Sequence, residues 1–205
     1  MNEAYVVAIE GLADTRAIND LPKNILVAAQ RAINRTADRS ATDARRRTRE
    51  QVNFPAQYLT GTDSGGRQRL GISRRAGDGN LEAVITGRQR ATSLARFVTS
   101  GVVGKQGVTV QVAPGFARLM RRAFLIRLPA GNQLTETKGN LGLAIRLKPG
   151  ETIQNKRAMI RVKGNLYLLY GPSVDQVFNT VREDVAPDAE QFLAGEFLRL
   201  MELDL

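Results

Sequence analysis

The stretch "NLYLLYGPSVDQVF", residues 165–178, decides the fold, because it reads as a strand turning a corner into a helix. Alternating Leu166, Leu168 and Tyr170 predict an extended run with one inward face. Gly171 and Pro172 predict its end, since Gly opens unusual backbone angles and Pro removes a ladder donor. Ser173 is then placed to offer its hydroxyl to the free amides of a new helix, with Gln176 three positions on to close a capping box. Val174, Val177, Phe178 and Val181 supply that helix with an apolar stripe. A corner this definite orients the C-terminal segment beyond it.

The two sides of the corner differ in charge. Residues 1–172 hold 28 basic and 12 acidic side chains, whereas residues 173–205 hold two arginines against eight acids. The chain as a whole carries +10. Most of the cations are Arg, which stays ionised and forks onto phosphate or carboxylate. This asymmetry predicts a basic body that meets nucleic acid or an acidic partner. The plainer reading is a solvated basic surface. Two helices are expected after the corner, over residues 173–185 and 187–203. Phe192, Leu193, Phe197, Leu200 and Met201 line the second.

Ahead of the corner, a long helix is expected from about Leu21 to Val52, opened by Pro22 and closed by Phe54-Pro55. Ala29, Ile33, Ala37, Ala41, Ala44 and Thr48 fall on one side, so the helix packs closely against another element. Arg31, Arg35, Arg39, Arg45 and Arg49 gather opposite, and Arg46 and Arg47 lie nearer the apolar edge. That face either neutralises phosphates or an acidic neighbouring subunit, or is simply the wet side of the helix. Residues 53–68 read as a loop. "RLGISRRAGDGNLEAVITG" reads as a hairpin turning at GDGN, and "RATSLARF" as a short helical turn. Further strands are expected in "GVTVQVAPG", "RRAFLIRLPAGN", "LGLAIRLKPG" and "RAMIRVKGNLYLLYG". The predicted class is α+β: a long N-terminal helix packed on a mainly antiparallel sheet, followed by two C-terminal helices. The expected organisation is a single domain with an N-terminal strand or arm over residues 1–20, a basic body over 21–172 and acidic helices over 173–205.

Composition removes much chemistry. Cysteine and histidine are absent, which excludes thiolate nucleophiles, Cys or His zinc sites and His-dependent triads. No DxD, ExxE, GxSxG or phosphate loop with a following Lys occurs. No apolar run approaches the roughly 20 residues of a membrane span. The N-terminal "MNEAYVVAIEGLADTR" is acidic where a signal peptide is basic, so synthesis in the cytoplasm is expected. No enzyme activity, cofactor or metal is expected. A hydrolase or nuclease built on Asp63, Asp78 and Glu82 is the remaining catalytic alternative, set against their role as turn residues. A freestanding, sequence-blind nucleic-acid-binding protein is the other alternative, since charge is present without a base-reading motif.

The segments "AAQRAINRTA", "FPAQYL", "GRQRATSLARF", "RRAFLIRLPAG" and, most specifically, "LYLLYGPSVDQVF" together resemble the phage minor tail protein Z family. They run in order from about Ile25 to Phe178. The resemblance implies a structural virion protein of a tailed phage, acting in tail completion at the neck where tail meets head. It implies a homo-oligomeric ring, a hexamer by the symmetry of such tails, with other tail, terminator or connector proteins and packaged DNA as partners. Its location would be the virion, after assembly in the host cytoplasm. In that setting the acidic C-terminal segment of one copy would dock on the basic body of the next. Arg31, Arg35, Arg39 and Arg45 would line a lumen entered by DNA.

Overall fold

The corner is tighter than its sequence suggests. In the computed structural model, which describes residues 5–8, 22–63, 65–77, 79–128, 141–152 and 158–203, the strand does not end at Gly171. It runs from Leu166 through Pro172 to Ser173, and the helix begins at Val174 with no loop between. Pro172 is tolerated because it lies in a register irregularity, between the Tyr170–Ser93 and Ser173–Ala91 pairs. Gly171 is not a breaker here; a Cβ there would stand 3.0 Å from Leu94 Cδ2, the free end of a side chain that can shift. The single inward face is also corrected. Leu168 and Leu169 are both buried, because this strand is internal to its sheet and packs on both sides.

The elements in order are β1 Tyr5–Ala8, α1 Lys23–Gln51, α2 Ala56–Thr60, β2 Leu70–Arg74, β3 Glu82–Gly87, β4 Ala91–Ser93, a 3-10 turn Leu94–Phe97, β5 Val98–Ser100 and β6 Gln106–Val110. They continue with β7 Arg118–Arg127, β8 Leu141–Arg146, β9 Met159–Lys163, β10 Leu166–Ser173 and α3 Val174–Leu203. The class is α+β with mainly antiparallel pairing and, among the described residues, three α-helices. Helix α2 falls inside the stretch expected to be loop.

Two expectations about the helices are corrected. The longest helix is C-terminal, α3 with 30 residues, rather than N-terminal. It is also one helix, not two, and carries Pro187 in its interior. Proline there removes the bond to the Glu183 carbonyl and crowds the preceding turn, at a cost of about 3 kcal/mol. The helix continues because Val174, Val177, Phe178, Val181, Val185, Ala189 and Leu200 are all buried. Burial of one such aliphatic side chain contributes roughly 1.5–3 kcal/mol, so residues on both flanks outweigh the single break.

The chain divides into two compact units interleaved in sequence. They cut across the segment boundaries that composition suggests. Unit 1 gathers Met1–Thr48, Ala56–Gln89 and Val174–Leu205; unit 2 gathers Arg49–Pro55 and Arg90–Ser173. In unit 1 the sheet order is β1-β3-β2, so the Tyr5–Ala8 segment is a strand on β3; residues 9–21 lie outside the described residues. Small residues on α1 let it approach neighbours on two sides. Ala29, Ile33 and Ala37 pack with Ala76, Leu81 and Ala83, while Ala28 and Ala32 pack with Leu200 of α3.

Unit 2 is a seven-stranded sheet in the order β4-β10-β8-β7-β6-β5, with β9 on β10. One face is a core of Val108, Val110, Ala123, Leu125, Leu143 and Leu169. Phe54 and Phe97, both nearly fully buried, meet at 5.5 Å between ring centroids. The polar stretch between Pro129 and Asn140 lies outside the described residues.

Candidate functional site

Much of the arginine face of α1 is engaged within the chain. Arg35 Nη1 donates to Glu196 Oε1. Arg199 donates to the same carboxylate through Nε and Nη2, both at 2.8 Å. Glu196 is only 8% exposed. The Arg199 guanidinium, and after it Arg35, hold its carboxyl down to about 2 against the opposite pull of burial. Arg39 places its guanidinium carbon 4.6 Å over the Phe192 ring. Arg47 meets Asp188 at 3.5 Å. Helices α1 and α3 therefore lie antiparallel within unit 1, with acids of the C-terminal segment matched to arginines of the same chain.

The remaining arginines of that face have local roles. Arg45 Nε donates to the Leu70 carbonyl at 2.9 Å and its Nη2 to Gln68 Oε1 at 2.9 Å, tying α1 to the start of β2. Arg46 meets Asp43 at 3.5 Å. Arg31 and Arg49 are exposed and meet no carboxylate among the described residues. Of the six arginines singled out from sequence, then, Arg35, Arg39, Arg45 and Arg46 are engaged within the chain. The residues of the corner, Gly171, Pro172, Ser173 and Gln176, position β10 and α3 and line no site; Ser173 is buried.

The catalytic alternative finds separate jobs for its carboxylates. Asp63 accepts from the backbone N–H groups of Gly65 at 2.9 Å and Arg67 at 3.2 Å. Those two bonds hold its carboxyl below the usual range, opposite to the shift a general acid or base needs. Glu82 pairs with Arg74, and Asp78 lies outside the described residues. Among the described residues no three acidic side chains gather where a metal could be held, and no helix is long and apolar enough to cross a membrane.

Charge separates by unit. Unit 1 holds 15 basic and 17 acidic residues, a balance of −2. Unit 2 holds 15 basic and 3 acidic, a balance of +12. Of the three acids, Glu151 is consumed by Arg122, which clamps it at 2.7 and 2.8 Å. That pairing, with the Lys148 backbone N–H, holds the Glu151 carboxyl at about 2. The exposed cations Arg118, Arg121 and Lys163 meet no carboxylate among the described residues, and Arg146 reaches over the Phe124 ring at 5.9 Å. Reasoning from the sequence missed these residues, since they are scattered over strands instead of striping one helix. A usable signal existed: residues 90–173 hold 14 basic side chains and only two acids. Comparison with protein-family models, with curated proteins and with solved structures found no match.

Proposed function

We propose that this chain is a structural virion protein of a tailed phage, completing the tail at the head–tail junction as a homo-oligomeric ring around the DNA channel. The observation that carries this reading is the +12 balance of unit 2 against a nearly neutral unit 1. A collar around DNA needs one strongly basic wall and other surfaces free to pack on protein. Two segments that resemble minor tail protein Z, the arginine helix and the β10–α3 corner, fall on regular elements. The carboxylates available for a neighbouring copy are Glu183, Asp184, Glu190 and Glu202, exposed on α3. Glu196 and Asp188 are engaged within the chain.

The native mass of the purified protein tests the ring. A discrete multiple of the 22.5 kDa chain is expected, hexameric by the symmetry of such tails, together with recovery of the chain from purified particles. Removing residues 186–205 would cut α3 in half and expose the core around Ala28 and Ala32, so charge reversal is the cleaner perturbation. The triple variant Glu183→Lys, Asp184→Lys, Glu190→Lys should disperse the ring without unfolding the chain. A purely monomeric wild-type protein, or its absence from particles, defeats the proposal. The concentration of charge on unit 2 also favours a second reading, a freestanding nucleic-acid-binding protein. Monomeric mass combined with tight DNA binding would select it.

A further inference from the structure

The geometry points to a phosphate-binding row on unit 2, across β8, β10 and β9, as the surface that meets the DNA backbone, in place of the α1 arginines. Cross-strand partners share a sheet face. Arg146 on β8 is paired with Leu166 on β10, and Leu166 with Lys163 on β9. Two residues along on β8 and β10, and three on β9 where Val162 is the extra residue of a register irregularity, the parallel row is Phe124, Ala144, Leu168 and Ile160. The intervening row, Leu125, Leu143 and Leu169, belongs to the core on the other face. Arg146 and Lys163 therefore project from the face away from that core, which is covered at Ala144 and Leu168 and exposed at these two cations. Arg122 ends the same row, donating from Nη2 to the Arg146 carbonyl at 2.9 Å, but its charge is spent on Glu151.

Arg146 and Lys163 stand about 10 Å apart across β10, at two strand spacings. Measured along the duplex axis, that distance covers roughly three phosphates of one strand. Leu166 between them offers no polar group to a base, so contact is with the backbone and blind to sequence. A second copy of the chain fits less well than a polyanion. The four exposed acids of α3 left for a neighbouring copy cannot offset +12, and each added copy brings a further +10 into the assembly. A polyanion relieves that repulsion.

The inference takes its setting from the proposed ring, but its test does not depend on ring formation. Affinity for a short duplex of arbitrary sequence is measured against salt concentration for three proteins. They are the wild type, the pair Arg146→Gln/Lys163→Gln and the pair Arg31→Gln/Arg39→Gln; native mass is recorded for each. Each phosphate contact contributes about 0.9 to the slope of log affinity on log salt. The β8–β9 pair should therefore flatten the slope by roughly 1.8, and the α1 pair should leave it unchanged. Arg146→Lys/Lys163→Arg keeps both charges and should restore the slope, which separates loss of charge from loss of fold. A flattened slope only in the α1 pair, or no salt-dependent binding by the wild type, overturns the inference. So does a β8–β9 pair that loses ring mass while keeping its DNA affinity, which would make the row a contact between copies and leave the ring standing. Conversely, the expected slopes in a monomeric protein would uphold the row and defeat the ring.

Discussion

Replacing Glu196 with Gln is the most direct probe of how the acidic C-terminal helix is held. Gln keeps the volume but removes the charge and turns an N–H₂ towards two guanidinium groups. Glu196 accepts from Arg35 Nη1 and from Arg199 Nε and Nη2. A hydrogen bond to a charged group contributes roughly 1.5–3 kcal/mol when shielded. Here the arginines are 56% and 47% exposed, so solvent screening reduces the sum to about 1–3 kcal/mol at neutral pH. In a chain of this length that loss lowers Tm by roughly 2–12 °C. The pH dependence gives the sharper test. The folded carboxyl sits at about 2 against an ordinary value of 4.5. Its contribution is thus complete above pH 4.5, declines as pH falls and is gone once pH passes below about 2. The stability gap between wild type and Glu196→Gln should close across that window, while Glu151 titrates equally in both proteins and cancels. Urea unfolding followed by far-UV circular dichroism at several pH values measures the gap. A gap that is absent at pH 7, or that persists undiminished at pH 2, would refute the account of this ion pair.

Two glycines should respond differently to Ala. At Gly87 a Cβ would lie 2.7 Å from the Asp175 Cα and 3.0 Å from its N, so the backbone must shift and stability should fall by about 1–3 kcal/mol. At Gly142 the nearest atom is Leu168 Cδ2 at 2.6 Å, the free end of a side chain that can rotate, and the loss should be about 1 kcal/mol or less; thermal unfolding of the two variants gives the order. Pro187→Ala should raise stability by roughly 1–3 kcal/mol by restoring the bond to Glu183, with higher helical ellipticity, whereas a true break between two helices would give no gain. Ser40 is buried with its hydroxyl lacking a partner among the described residues, so Ser40→Ala should be neutral or stabilising in chemical denaturation.

How much of this was legible in the sequence depends on the range of the forces involved. The β2–β3 hairpin around Gly77–Asn80, the 3-10 turn at Leu94–Phe97 and the strand holding Val108 and Val110 follow from periodicity and turn chemistry within a few residues. So does the buried stripe of α1, where Ala29, Ile33, Ala37, Ala41, Ala44 and Thr48 lie inside as their spacing demands. Pro187 and the Gly171-Pro172 pair misled, because local breakers were overridden by burial and pairing contributed from elsewhere in the chain. The candidate site was less legible still. The sequence by itself determined that the chain is α+β, strongly basic, acidic at its C-terminal end and without Cys or His chemistry. Only the tertiary structure decided that Glu196 and Asp188 pair with Arg35 and Arg47 of α1, and that residues 90–173, whose positive surplus can be counted in the sequence, build the seven-stranded unit. The reason is physical: side-chain periodicity is set by neighbours along the chain, whereas the partner of a charge is whichever opposite charge folding brings within a few ångströms, here 161 residues away for Arg35 and Glu196.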